Sequence, residues 1–166
     1  EINKIKRAFC VSGMLIDIQH IGSTSIPGAA AKPFIDIILG IRSMIDAPEV
    51  IKILFDIGYE KKFATNEKWI YLIKLDTKDV YPAQQINICV TTHHSDFWKL
   101  KVAFRDYMRL HPEDVEEYSR LKLSLKQSGC DFYHYTKGKE TFIIDVIVKS
   151  GFSVDYYMKT FSHIRK

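Results

Sequence analysis

Apolar positions along the chain change period at two points, and the changes mark out its elements. Ile2, Ile5, Phe9 and Val11 sit at helical spacing and predict a helix over residues 2–12. From Met14 to Ile21 (MLIDIQHI) the period becomes two, with Leu15, Asp17 and Gln19 against Ile16, Ile18 and His20, as in a half-buried strand. GSTSIPGAAA follows, a turn of small residues. Pro33 to Ile41 (PFIDIILGI) is then an almost unbroken apolar run carrying one acid, Asp36, the pattern of a central strand. Asp46 as N-cap, Pro48 just inside and Glu49 three residues on predict a capped helix that ends near Ile57 and stops at Gly58. Lys68–Leu75 and Val80–Thr91 read as a hairpin around the polar turn Asp76-Thr77-Lys78-Asp79.

Past Ser95 the helical period returns. Phe97, Leu100, Phe104, Tyr107 and Leu110 form one stripe; Pro112 opens a second helix that Gly129 ends. A third follows Gly138, with Phe142, Ile143, Val146 and Ile147 inward, and a short fourth closes the chain. A mixed sheet followed by a helical C-terminal half is an α+β layout.

Length and composition leave this picture intact. The chain has 166 residues, one domain's worth, with no repeat or Pro/Gly-rich linker dividing residues 1–166. No apolar run approaches the about 18 residues of a membrane span. The start, EINKIKRAFC, mixes charge with apolar residues and does not resemble a signal peptide, and the lack of an initiator Met predicts a missing preceding segment. Cys10, Cys89 and Cys130 are odd in number and lack CxxC spacing, which predicts free thiols and a cytoplasmic location.

Net charge is +4, a small excess that does not by itself choose a partner. Its distribution is uneven, because Lys99, Lys101, Arg105, Arg109, Arg120, Lys122, Lys126, Lys137 and Lys139 all fall between Trp98 and Lys139.

The stretch with chemical content is 19–39. Gly22 allows the chain to turn where a Cβ would clash. The backbone N–H groups there, with the hydroxyls of Ser23 and Thr24, suit anionic oxygens, and Lys32 adds a point charge for phosphate. Asp36, in an apolar strand, is costly to bury unless paired; a divalent metal is one partner, a lysine or backbone N–H groups are others. His20 either lines this site or packs against it.

HIGSTSIPGAAAKPFIDI (20–37) resembles the signature of the GrpB family. FRDYMRLHPEDVEEYSRLK (104–122) and YHYTKGKETFI (133–143) resemble its second and third blocks, in the same order. The resemblance covers most of the chain, lacking the family's extreme N-terminal segment. It implies a nucleotidyltransferase-like fold, a short mixed β-sheet packed with helices. Active members of that superfold follow the Gly-Ser turn with two acids at i and i+2, which with a third hold two metals roughly 3.5–4 Å apart. Here the second position is Ile38, which ligates nothing. Where GrpB-like sequences tend to show a His-x-His pair, this chain has Asn87-Ile88-Cys89. With Ile86, Ile88 and Val90 toward the core, Asn87 and Cys89 share the opposite face, as pocket-lining residues or, for Cys89, as a soft-metal ligand.

Lys101, Arg105 and Arg109, spaced i, i+4, i+8, form a stripe set roughly opposite Phe97, Leu100 and Phe104. Arg105, Arg109, Lys122 and Lys139 fall inside the family blocks and are candidate phosphate ligands beside Gly22, Ser23, Thr24 and Lys32; the remaining lysines read as solvated faces. Trp69, Trp98, Tyr118 and Tyr135 read as packing residues. The expected function is binding of a nucleotide or other phosphorylated small molecule at the Gly22-Ser23 turn. Nucleotidyl or phosphoryl transfer would use Asp36 as catalytic residue and metal ligand, with Mg2+ or Mn2+ held weakly and only alongside the nucleotide. A catalytically silent module is the alternative. Nucleic acid is the weakest candidate, since no binding motif accompanies the basic helices.

Overall fold

The computed structural model describes residues 1–65, 68–76 and 84–161, excepting the side chains of 61–65, 76 and 84. Five strands, β1 (Leu15–Ile21), β2 (Phe34–Ile41), β3 (Glu60–Thr65), β4 (Trp69–Asp76) and β5 (Gln84–Thr92), form one sheet in the order β1-β2-β5-β4-β3. The β2/β5 pair at its centre is parallel and the other pairs are antiparallel. Seven helices accompany it among the described residues: α1 (Ile2–Ala8), α2 (Ala47–Asp56), α3 (Asp96–Leu110), α4 (Pro112–Gln127), α5 (Phe132–Gly138), α6 (Glu140–Lys149) and α7 (Val154–Phe161). This is the α+β arrangement expected, a short mixed sheet packed with helices. Among the described residues no helix is long and apolar enough to cross a membrane.

Helices cover both faces of the sheet, which is why β2 is apolar almost throughout. On one face Ile37, Leu39 and Ile41 of β2 and Ile86, Ile88 and Val90 of β5 pack with Ile5 of α1 and Leu54 of α2. On the other, Ile38 and Cys89 pack with Trp69, Phe97 and Trp98, the last two from α3. β1 departs from strict alternation. Its register shifts between Leu15 and Asp17, so Leu15 and Ile18 both join the α1/α2 core while Ile16 stays exposed.

Several expected boundaries move. α1 ends at Ala8 rather than residue 12, and Val11 is exposed. Asp46 does not cap α2 with its side chain; Ser43 Oγ, one turn earlier, accepts from Ile45 N at 3.2 Å and opens a 3-10 turn over Met44–Asp46. β3, with the polar sequence EKKFAT, was not expected, nor was α5, whose Asp131 cap accepts from His134 N at 2.8 Å. Residues 77–83, the expected turn and the start of the second hairpin strand, lie outside the described residues.

Candidate functional site

β1 delivers the chain to Gly22, whose φ of +71° is open to glycine without strain. A Cβ at Gly22 would be driven into the Asp36 carboxylate and lie 2.9 Å from Asp36 Cβ. The turn therefore sits directly on the acid of β2. Ser23–Ser25 then make one 3-10 turn, tied back by Ser25 Oγ donating to Gly22 O at 2.6 Å. Thr24 Oγ1 donates to Phe34 O at 2.9 Å and meets His20 Nε2 at 3.1 Å, so its hydroxyl holds β1 and β2 at the turn.

The following loop is pinned from the helical side. Ile26 buries among Met108, Val115 and Val146. Arg109 Nε donates to Ser25 O at 2.9 Å, and Ser119 Oγ accepts from Ala30 N at 2.9 Å. Lys122 Nζ donates to Ser23 Oγ at 2.9 Å and to Ala30 O. Between this loop, β2, α4 and α5 lies a cavity of about 120 Å3. Its floor is Ser23, Thr24 and Asp36; Lys32, Lys122 and Lys139 enter from the sides with Tyr118 and Tyr135. A larger hollow of about 400 Å3 lies elsewhere, against α6 around Phe142, Val146 and Val154, and is mostly apolar. The turn thus lines the more polar of the two, not the larger.

The three lysines are held by rings rather than by acids. Lys122 Nζ lies 4.3 Å from the Tyr118 ring centroid, Lys139 Nζ 4.3 Å and Lys32 Nζ 5.3 Å from that of Tyr135. Among the described residues none of the three has a carboxylate within ion-pairing distance. Burial lowers Lys122 to about 8, helped by the charge of Lys139; burial likewise lowers Lys139 to about 8, with Lys101 and Lys32 adding to the effect and Asp36 opposing it.

Asp36 is half-buried, and that burial raises its pKa against an opposing hydrogen bond from Asn87 and the charges of Lys101, His20 and Lys139. Asn87 Nδ2 donates to Asp36 Oδ1 at 2.7 Å, and Gln85 Nε2 donates to Asn87 Oδ1 at 2.6 Å, so Asn87 turns its N–H toward the acid. Asn87 supports the carboxylate; it does not line the cavity. Ile38 is fully buried. With one carboxylate, already accepting an amide, this donor set does not fit a resident divalent ion, and among the described residues no three His, Cys, Asp or Glu side chains converge.

Other expected ligands stand elsewhere. Arg105 is buried, with Nη1 donating to Gln19 Oε1 at 2.8 Å and His20 O at 3.0 Å, and Nε to Asp106 Oδ1 at 2.7 Å. Neither Arg105 nor Arg109 lines the cavity; both bind α3 to β1 and the turn. The basic stripe divides: Arg105 is buried and Lys101 half-buried, because α3 packs on the sheet and also on α6, where Leu100 meets Ile147, while Arg109 stays exposed. Cys89 is sealed beneath α3, and burial pushes its thiol up to about 12, so the free protein holds it as a packed thiol. His20 touches Thr24 but not the cavity, and burial lowers its pKa. Tyr118 and Tyr135, read from sequence as packing residues, do line the site; their spacing to Lys122 and Lys139 (i, i+4 in each case) was the available signal.

The molecule is thus an α+β domain with a lysine-lined polar cavity over a glycine turn. The family profile described as GrpB protein matches residues 1–149, and the chain belongs to the GrpB family. The glutamate-rich protein GrpB of Alkalihalophilus pseudofirmus is 30% identical over 135 residues, 79% of this chain and 76% of that protein. The crystal structure of conserved protein GrpB from Enterococcus faecalis aligns with a TM-score of 0.72 at 25% identity, covering 90% of this chain and 87% of that one. A structure of the Cid1 poly(U) polymerase aligns over 74% of this chain and 41% of its own at 17% identity, with a TM-score of 0.42, too distant to bear on function.

Proposed function

We propose that this protein binds a nucleotide or another phosphorylated small molecule in the cavity above the Gly22-Ser23 turn. One observation carries the reading: Lys32, Lys122 and Lys139 converge on a polar cavity that offers a single carboxylate in return. Ammonium groups without acidic partners in a partly shielded space favour an anion that desolvates with them. The Ser23 hydroxyl, beside Lys122, completes the donor set.

Transfer of a nucleotidyl or phosphoryl group is a second reading, favoured by the place of Asp36 on the cavity floor. It is the weaker of the two, because Ile38 replaces the second acid and Asn87 already occupies one carboxylate oxygen. Any Mg2+ or Mn2+ at Asp36 would take most of its ligands from the nucleotide's phosphates.

The test is thermal stability across nucleotides, sugar phosphates and coenzyme A precursors, with and without magnesium. A bound ligand at about 100 times its Kd raises the melting temperature by roughly 5–10 °C. Silence from every phosphorylated compound ends the proposal. Calorimetry of magnesium into the free protein should show no micromolar binding. Asp36→Asn should remove any metal-dependent part of nucleotide affinity and leave the rest.

A further inference from the structure

Resting on that reading, we infer that Lys139 forms a reversible imine with a small phosphorylated aldehyde, whose phosphate Lys32 and Lys122 hold. The three lysines of the cavity are not equivalent. Lys122 is anchored, its Nζ donating to Ser23 Oγ and to Ala30 O. Lys32 is exposed, between the Phe34 and Tyr135 rings. Lys139 is half-buried, rests against the Tyr135 ring at 4.3 Å, and makes no hydrogen bond or ion pair among the described residues. Of the three, it combines burial with an unengaged amine. Packing fixes its place. Gly138 lets the α5/α6 junction approach α4, since a Cβ there would lie 2.6 Å from Leu125 Cδ2. Lys139 is thereby brought beside the helix that carries Lys122.

A lysine attacks a carbonyl as the neutral amine, and burial is a common way to supply it. Burial, with the charges of Lys101 and Lys32, lowers Lys139 to about 8. On the order of a tenth of it is then free amine at pH 7, against roughly one part in three thousand for an ordinary lysine. The nitrogen adds to the carbonyl carbon as one amine proton passes to the carbonyl oxygen, giving a carbinolamine. Departure of that hydroxyl with the second amine proton, as water, leaves a C=N bond, and hydrolysis restores both partners. Ser23 and Asp36, on the cavity floor, offer a hydroxyl and a carboxylate for these proton transfers. The cavity of about 120 Å3 is small beside the roughly 300–1,000 Å3 of drug-sized sites, which suits a short aldehyde with its phosphate close to the carbonyl.

The experiment incubates the full chain with glyceraldehyde 3-phosphate, reduces it with borohydride and maps the adduct by peptide mass spectrometry. One main adduct is expected, on Lys139, at least about tenfold above that from glyceraldehyde and suppressed by excess glycerol 3-phosphate. Lys139→Arg keeps the charge but forms no imine. It should lose the adduct while glycerol 3-phosphate still raises its melting temperature. Lys139→Met, which keeps the apolar stem, should lose the adduct too. Lys32→Met should keep the adduct on Lys139 but need about tenfold more aldehyde. Equal labelling by glyceraldehyde, adducts spread over surface lysines, a main adduct on Lys122, or labelling indifferent to glycerol 3-phosphate would each overturn the inference. If glycerol 3-phosphate stabilises the protein and no adduct forms, the imine falls and phosphate binding stands. If it and every other phosphorylated compound are silent, both readings fall.

Discussion

Gly22 carries the tightest constraint of any residue at the site. Its φ of +71° and the carboxylate beneath it oppose any side chain. Gly22→Ala should cost on the order of 2–4 kcal/mol in urea unfolding, part from backbone strain and part from collision with Asp36. Adding Asp36→Ala should recover only the share of the collision that comes from the carboxylate, since the Cβ at position 36 remains 2.9 Å away. The lysines make a prediction about pH. Lys122 and Lys139 titrate near 8 in the folded chain, against an ordinary 10.5. Well below pH 8 both states are protonated there, and these groups add no slope. Between about 8 and 10.5 the unfolded chain holds more protons, so the free protein should gain stability as pH rises. Under the proposed function, affinity for the phosphorylated ligand should fall over the lower part of the same window, as the cavity loses its charge. Parallel melting and binding series from pH 7 to 10 would test this opposition. Both curves moving in the same direction would contradict it.

At the scale of elements, α3 is the piece whose role changed most between sequence and structure. Its basic residues at i, i+4, i+8 look like a solvent-facing stripe until the helix is found packed on two sides. Arg105 then becomes the link between α3 and β1. Arg105→Met leaves Gln19 and the His20 carbonyl without their donor, and should cost about 2–3 kcal/mol in chemical denaturation. Arg105→Lys should recover little, because one ammonium does not reproduce the planar fork. Affinity for whichever phosphorylated ligand the thermal screen identifies, measured where both variants are folded, should change little. A large loss would return Arg105 to the binding site.

On the scale of the whole molecule, the cavity exists only because four parts meet: the turn after β1, the start of β2, and helices α4 and α5 with Lys139 at the junction to α6. A ligand that bridges them should slow amide exchange in the loop 22–32 and in α5, by up to about a hundredfold at about 100 Kd. Exchange in α1 and α2, on the opposite face of the sheet, should stay as it was. Equal protection on both faces would point to a general stabilisation and away from this cavity.

Much of this was readable along the chain. The near-continuous apolar run of β2 predicted a strand buried on both faces, and Asp36 stood out within it because a lone acid there needs a partner. The glycine turn was legible because small residues and hydroxyls cluster between two strands. β3 was not legible, since EKKFAT has no apolar period and pairs only because β4 offers an edge. Nor was the division among the cations. Lys122, Lys139, Arg105 and Arg109 have the same credentials in sequence, all basic and all inside family blocks. Which of them line the cavity and which brace the backbone is decided by how α3, α4 and α5 pack against the sheet and the turn, a property of long-range packing that local spacing does not encode.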